Sequence, residues 1–242
     1  MFHMLFFCFT IKDRMPLIDA FNQYISNFGL DTWYDRRNIF LGDNRIQENI
    51  EKGVKNLNLK YAIIFYSNNF EKGNICLQEY EILLNRYKAK EITIFPVFMG
   101  DVPDKLYGKF SLLKNLVYKR IDTFQDFFPL ALHIISKIIY DELKIQCCKS
   151  IKDYLSTGKN NLATKLFTEY ENIDKKNYMR CGYLFCMFKV FNETLKTSYL
   201  HFKTMHFLFY KNCITPIAEE KRELQIMENI VLLNSIRLFP CS

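Results

Sequence analysis

The chain has 242 residues, of which 49% are hydrophobic and 24% charged, the balance of an ordinary globular protein and not of a disordered or fibrous one. Its formal net charge of +7 favours anionic partners at long range, but the Lys and Arg residues are scattered and no run of like charge marks a basic tail. Eight cysteines form no CxxC pair and stand at no zinc-ligand spacing from the four histidines, which excludes a zinc-ribbon class and fits a reducing, cytoplasmic compartment.

The opening stretch, MFHMLFFCFTIKDR, lacks the basic start and small-residue cleavage site of a secretory leader, and no window offers the ~18–20 apolar residues of a membrane span. Leu5 to Phe9 is a continuous apolar run, the pattern of a strand buried on both faces, and a polar stretch, Thr10 to Arg14, follows it. Pro16 suits the first turn of a helix; Leu17, Phe21, Tyr24 and Phe28 recur at helical spacing, and Gly29 supplies the stop. Leu30 to Tyr34 reads as a second strand. Asp35 to Asn44 is polar and ends in Gly42-Asp43-Asn44, so it is predicted as a loop. Asn44 with Gln47 fits a capping box, and Ile46, Ile50, Val54 and Leu57 then line one helix face.

Tyr61 to Tyr66 is a third buried strand. The next helix starts at Asn74 or at Ser67 to Asn69, with Cys76, Tyr80, Leu83, Leu84 and Tyr87 on its apolar side. Ile92 to Met99 is the fourth strand and Leu116 to Tyr118 a short fifth. Thr123 with Asp126 opens a helix that Phe127, Leu130, Ile134, Ile138 and Ile139 carry to about Lys144.

Strands alternating with helices at this spacing predict an α/β domain with a flavodoxin-like, five-stranded parallel sheet in the order 2-1-3-4-5. Ligands in such sheets sit beyond the carboxyl ends of the strands, here Thr10–Arg14, Asp35–Asn44, Ser67–Asn74 and Gly100–Asp104. From about residue 144 helical periodicity takes over, at Ile151–Leu155, Leu162–Tyr170, Tyr178–Phe191, Leu195–Tyr210 and Ala218–Leu238. The expected division is a first domain over 1–143 and an all-helical region over 144–242. Tyr183, Leu184, Phe185, Met187, Phe188 and Phe191 make the third of these helices apolar nearly all round, which predicts its burial.

Four segments in order resemble the boxes of the Toll/interleukin-1 receptor (TIR) domain family. LFFCFTIKDR (Leu5–Arg14) resembles its first strand and polar exit, with Cys8, Phe9 and Thr10 in place of the usual Ser-Tyr-Ser. WYDRRNIFLGDNRIQENIEKGV (Trp33–Val54) resembles the second strand, the loop after it and the next helix; Trp33, Asp35, Gly42, Asn44 and Ile50 match, and Leu41 replaces the customary Pro. YAIIFYSNNFEKGNICLQEYEILL (Tyr61–Leu84) matches at Ser67, Cys76 and Glu79, with Ile75 at the position of the family's Trp. ITIFPVFMGDVPDKL (Ile92–Leu106) resembles the fourth strand with its Pro.

The resemblance implies an enzyme of the microbial branch that cleaves NAD between nicotinamide and ribose, with Glu79 as the catalytic carboxylate. One carboxylate suffices, since nicotinamide departs as a neutral molecule and needs no general acid, unlike an ordinary glycoside leaving group. Its task is to hold ribose and stabilise oxocarbenium-like charge, which suits a fixed anion. Spacing alone puts Glu79 at the margin of its helix's apolar stripe, where a surface glutamate near a helix N-terminus is the plainer reading. The motif match outweighs it.

The candidate substrate-binding set is Phe9, Thr10, Lys12, Arg14, Trp33, Asp35, Arg36, Phe40, Asn44, Ser67, Ile75 and Cys76. Phe9, Trp33, Tyr34 and Phe40 offer stacking surfaces, and Lys12, Arg14, Arg36, Arg37 and Arg45 offer cations for a pyrophosphate. With no Gly-rich dinucleotide fingerprint, NAD is expected as substrate and not as cofactor, and no metal is expected. The resemblance further implies assembly through TIR–TIR contacts, a setting in antiviral defence or signalling, and a helical region that senses, inhibits, oligomerises or meets a second defence protein. The product is ADP-ribose or a cyclic isomer. The alternative is a non-catalytic TIR scaffold that signals by self-association. A nucleoside deoxyribosyltransferase also uses a Glu at an N-glycosidic bond and stays open, whereas a phospho-receiver lacks its Asp, since Tyr66-Ser67 ends the third strand. No nucleic-acid motif is present.

Overall fold

A computed structural model of the chain describes residues 4–101, 104, 106–146, 161–174, 177, 179–192, 197–214 and 221–238. The chain divides into two compact units, Met1–Ser26 with Leu30–Leu130, and Asn27–Gly29 with Ala131–Ser242. The division falls inside one long helix, where a continuous 3.6-residue period gives the sequence nothing to register; the change of texture near 144 comes later.

The first unit is built on β1 (Met4–Cys8), β2 (Asp31–Trp33), β3 (Leu59–Tyr66), β4 (Thr93–Phe98) and β5 (Lys119–Arg120). All pairs are parallel and the order is β2-β1-β3-β4-β5, as the alternation of elements predicts. Every residue of β1 is buried, and all of β3 except Lys60, because helices cover both faces of the sheet. The fifth strand lies later than expected, at Lys119–Arg120, while Val117 of the apolar run is exposed. An edge strand is protected by charge and shortness, so apolarity is the wrong signal for it.

α1 (Asp19–Ser26) buries Phe21 and Ile25, with Ile18 and Phe28 buried on its flanks, while Leu17 and Tyr24 of the expected stripe are half-buried. Pro16 lies in a wide turn, Arg14–Ile18, in which Met15 is extended, and Gly29 takes a left-handed φ of 82° where the stop was expected. The segment predicted as a loop begins with a short helix, α2 (Asp35–Asn38), and turns at Gly42 with φ 97°.

α3 starts at Arg45–Gln47, where the Asn44 side chain accepts from the Gln47 amide at 3.2 Å, and continues as a π-helix over Glu48–Val54. The wider turn changes which side faces the sheet. Val54 is buried as expected, but Ile46 and Leu57 are exposed, and Asn49 and Gly53 are buried in their place.

α4 (Asn74–Lys88), α5 (Ser111–Asn115) and α6 (Phe127–Gln146) complete the set of helices that begin in this unit. α4 buries Cys76, Glu79, Tyr80, Leu83 and Leu84. Thr123 and Asp126 form the expected capping box in the turn before α6.

In the second unit the described helices after α6 are α7 (Asn161–Asn172), α8 (Met179–Asn192), α9 (Tyr199–Ile214) and α10 (Lys221–Leu238). The predicted segment Ile151–Leu155 lies outside the described residues. α8 packs against α7, α9 and α10 and buries Leu184, Met187, Phe188 and Phe191. Its burial is not complete: Cys186 and Lys189 mark an exposed side, and Tyr183 and Phe185 are half-buried. Among the described residues no helix is long and apolar enough to cross a membrane.

The approach of α3 to the sheet depends on one small residue. A Cβ built on Gly53 would lie 2.7 Å from the Trp33 indole nitrogen and 2.8 Å from the Phe6 ring. Gly53→Ala must push α3 and Trp33 apart. We expect it to destabilise the first unit by about 1–3 kcal/mol, read as a lower urea midpoint in the emission of Trp33, the chain's single tryptophan. An unchanged midpoint would show that the interface yields at no cost.

Candidate active site

A cavity of about 410 Å³ opens where the exits of β1 and β2 face α3 and the start of α4, at the carboxyl edge of the sheet. The β1 exit contributes Phe9 and Thr10, the β2 strand and its exit Trp33 and Asp35, α3 Arg45 and Asn49, and α4 Ile75, Cys76 and Glu79. A larger cavity, about 620 Å³, lies in the helical unit among Leu166, Met179, Tyr183, Phe209 and three cysteines, but among the described residues no carboxylate or cation lines it. The smaller cavity is therefore the candidate site.

The start of α4 is set by sulfur and by a glycine. A Cβ on Gly73 would meet Cys76 Sγ at 2.7 Å and Thr10 Oγ1 at 3.2 Å, so only glycine lets the helix press against the β1 exit. The Cys76 thiol shares its proton between the carbonyls of Gly73 (3.1 Å) and Phe70 (3.2 Å), and the Cys8 thiol points to the Cys76 carbonyl at 3.5 Å. The β1 exit is latched to the β3 exit by Asp13, which accepts from the Ser67 hydroxyl and from Asn69 Nδ2 at 2.8 Å.

This packing brings Glu79, one turn into α4, to 4% exposure. The surface glutamate that spacing alone suggests is thus not what forms. Asn49 Nδ2 donates to Glu79 Oε1 at 3.1 Å, and Trp33 Nε1 donates to Asn49 Oδ1 at 3.2 Å. Burial pushes the Glu79 carboxyl up to about 8, and the negative charge of Asp35 adds to this; Arg45 and hydrogen bonds from Cys8 and Asn49 pull the other way. Burial also holds the Cys8 thiol far above its ordinary value and Cys76 at about 11, so both stay protonated donors and neither is a nucleophile at neutral pH. The Glu79 carboxyl is therefore mostly protonated at neutral pH, and a cation brought beside it would favour loss of that proton.

Of the residues expected at the site, Phe9, Thr10, Trp33, Asp35, Ile75, Cys76 and Glu79 line the cavity, with Arg45. Lys12, Arg14, Arg36, Phe40, Asn44 and Ser67 are not among its lining residues. Arg14 is buried as the counter-ion of Asp35, under the rings of Phe9 (5.3 Å) and Tyr34 (5.7 Å). Its charge is spent on a neighbour whose burial demands it. Arg36 pairs with Asp19, Asn44 caps α3, Ser67 holds Asp13, and Lys12 and Phe40 are exposed. Sequence reasoning missed Asn49 and Cys8. Asn49 precedes Ile50 of the expected stripe and lies in the π-helical stretch, where it is buried.

A protein-family model described as TIR domain matches residues 5–129. Among curated proteins, the probable 2' cyclic ADP-D-ribose synthase TcpO of Methanobrevibacter olleyae is 26% identical over 119 residues, covering 48% of this chain and 34% of that protein. The chain thus spans about a third of the length of that relative. Among solved structures, the TIR domain of the Toll-related receptor TRR-2 from Hydra magnipapillata aligns with TM-score 0.41 at 21% identity, covering 55% of this chain and 94% of that one. The TIR domains of the activated Roq1 resistosome recognising the effector XopQ align with TM-score 0.39 at 20% identity, covering 47% and 69%.

The raised Glu79 carboxyl has a signature in stability. A folded-state value of about 8, against an unfolded value near 4.3, means that stability is greatest below the unfolded value and falls as pH rises through 8. Glu79→Gln carries no charge at any pH and escapes this loss. We expect it to match the parent at pH 4 and to exceed it at pH 9 by up to about 5 kcal/mol, measured by urea unfolding followed at Trp33. An equal difference at both pH values would place the carboxyl in the ordinary range.

Proposed function

Because the chain belongs to the TIR domain family, by a match that spans residues 5–129, we propose that its first unit cleaves the nicotinamide–ribose bond of NAD with Glu79 as the catalytic carboxylate. The observation that carries this reading is the placement of the buried Glu79 carboxyl with Arg45 and aromatic rings, Phe9 and Trp33 among them, in a single cavity at the carboxyl edge of the sheet. The synthase named for the M. olleyae relative supports it.

The chemistry follows from charge. The pyridinium of NAD is a cation, so its approach favours the ionised form of Glu79 and releases the proton that burial retains. The glycosidic electron pair then leaves with the ring nitrogen, giving neutral nicotinamide and an oxocarbenium-like C1′ beside the carboxylate. Capture by water gives ADP-ribose; capture by a hydroxyl of the same molecule gives a cyclic product. Phe9 and Trp33 supply apolar walls. Arg14 and Arg45 both pair with Asp35, but only Arg45 lines the cavity, with its side chain 40% exposed against 8% for Arg14, so it is the cation placed to take the pyrophosphate role. Ile75 makes the wall near Glu79 aliphatic. On this reading the protein acts as an assembly in microbial antiviral defence.

A scaffold reading rests on Phe40 and Leu41, which stand 73% and 105% exposed beside Gly42 and offer an apolar contact for another copy. The two readings part at Glu79. We expect concentrated protein to release nicotinamide from NAD, and Glu79→Gln to lose at least about 100-fold of that rate. The kcat/KM of the parent rises with pH toward a plateau above about 8, the free-enzyme value, while kcat levels at lower pH because bound pyridinium eases ionisation. Folded, concentrated protein that leaves NAD intact at every pH would transfer the assignment to the scaffold.

A further inference from the structure

Asn49 is 4% exposed and both ends of its amide are engaged. The indole N–H of Trp33 can only donate, so the Asn49 oxygen must face it, and the amide nitrogen is thereby compelled to face Glu79. A free asparagine could turn over and offer its oxygen to a carboxyl group; this one cannot. The relay runs across three elements, from β2 through α3 to α4, and each link is within hydrogen-bond distance at 3.2 Å and 3.1 Å. It also depends on the glycine at position 53, which lets α3 come close enough to Trp33 for the first link to form.

We propose that Asn49, locked by Trp33, is the positioning residue of the site: it donates to Glu79 Oε1, favours the ionised carboxyl and fixes its direction for reaction. The proposal rests on the NAD-cleaving reading only for what the held carboxylate does; the relay itself is a property of the ligand-free protein. The other charged or titratable groups acting on Glu79 are Cys8 from β1, Asp35 after β2, Arg45 on α3 and Cys76 on α4 itself. Cys8 and Cys76 are protonated, and Asp35 is paired with Arg45 at 2.7 Å; of the two neutral donors to Glu79, Cys8 and Asn49, Asn49 is the one whose direction is fixed by a third residue.

The test is the titration of the Glu79 carboxyl carbon by ¹³C NMR in the full chain without ligand, the resonance being the one that Glu79→Gln removes. Asn49→Leu keeps the branching at Cγ and deletes the donor, and we expect the midpoint to rise by about one pH unit. Trp33→Phe removes the indole N–H and frees the amide to turn, and we expect a smaller rise in the same direction. Should Asn49→Leu fail to fold, Trp33→Phe decides alone. The rate of nicotinamide release from NAD is followed in parallel, and its acid limb should move with the NMR midpoint while KM for NAD changes little. A midpoint unmoved in the folded variants overturns the relay, whether or not the parent cleaves NAD. A moved midpoint in a protein that releases no nicotinamide keeps the relay and removes NAD as the substrate.

Discussion

Burying a carboxyl group costs free energy unless its proton is kept or its charge is compensated, and the active-site side of the first unit is organised around that constraint. The Glu79 carboxyl is pushed up because burial and Asp35 outweigh Arg45 and two hydrogen-bond donors. Asp35 would itself be costly at this depth, and Arg14 and Arg45 converge on it. Arg14 in turn lies against Phe9 and Tyr34, which stack on each other with centroids 5.7 Å apart. One buried acid thus accounts for a second acid, two cations and a pair of rings.

Two glycines make this proximity possible. Gly53 admits Trp33 and Phe6 against α3, and Gly73 admits Cys76 and Thr10 at the foot of α4. Neither has a left-handed φ, so their role is to leave out a methyl group and not to relax the backbone. The same close approach squeezes water from around Glu79, which ties the electrostatics of the site to the packing of two helices on one strand.

How legible this was in the sequence varies with the element. The buried strands at Met4–Cys8 and Leu59–Tyr66 announce themselves as apolar runs, and Thr123 with Asp126 announces α6, because those signals are local. The two-residue β5 carries only Lys and Arg, so nothing local distinguishes it from a turn. The expected stripe of α3 runs on to Leu57, but the helix ends at Val54, and Asn49 lies in its π-helical stretch, Glu48–Val54, which a 3.6-residue period does not describe. At the site, the motif picked out Glu79 and much of the cavity wall. It did not separate a buried cation from one open to the cavity: Arg14 and Arg45 look alike in sequence and both pair with Asp35, and only their burial tells them apart.

The sheet of the first unit ends on β2 with three residues and on β5 with two. Such short margins offer almost no row of free backbone N–H and C=O groups on which another chain could add a strand. Growth of a continuous sheet from copy to copy is therefore closed to this fold. Copies that meet through this unit must do so by side chains of loops and helices, so which copies join, and in what geometry, is written in replaceable surface residues and can diverge while the sheet and its buried acid stay as they are.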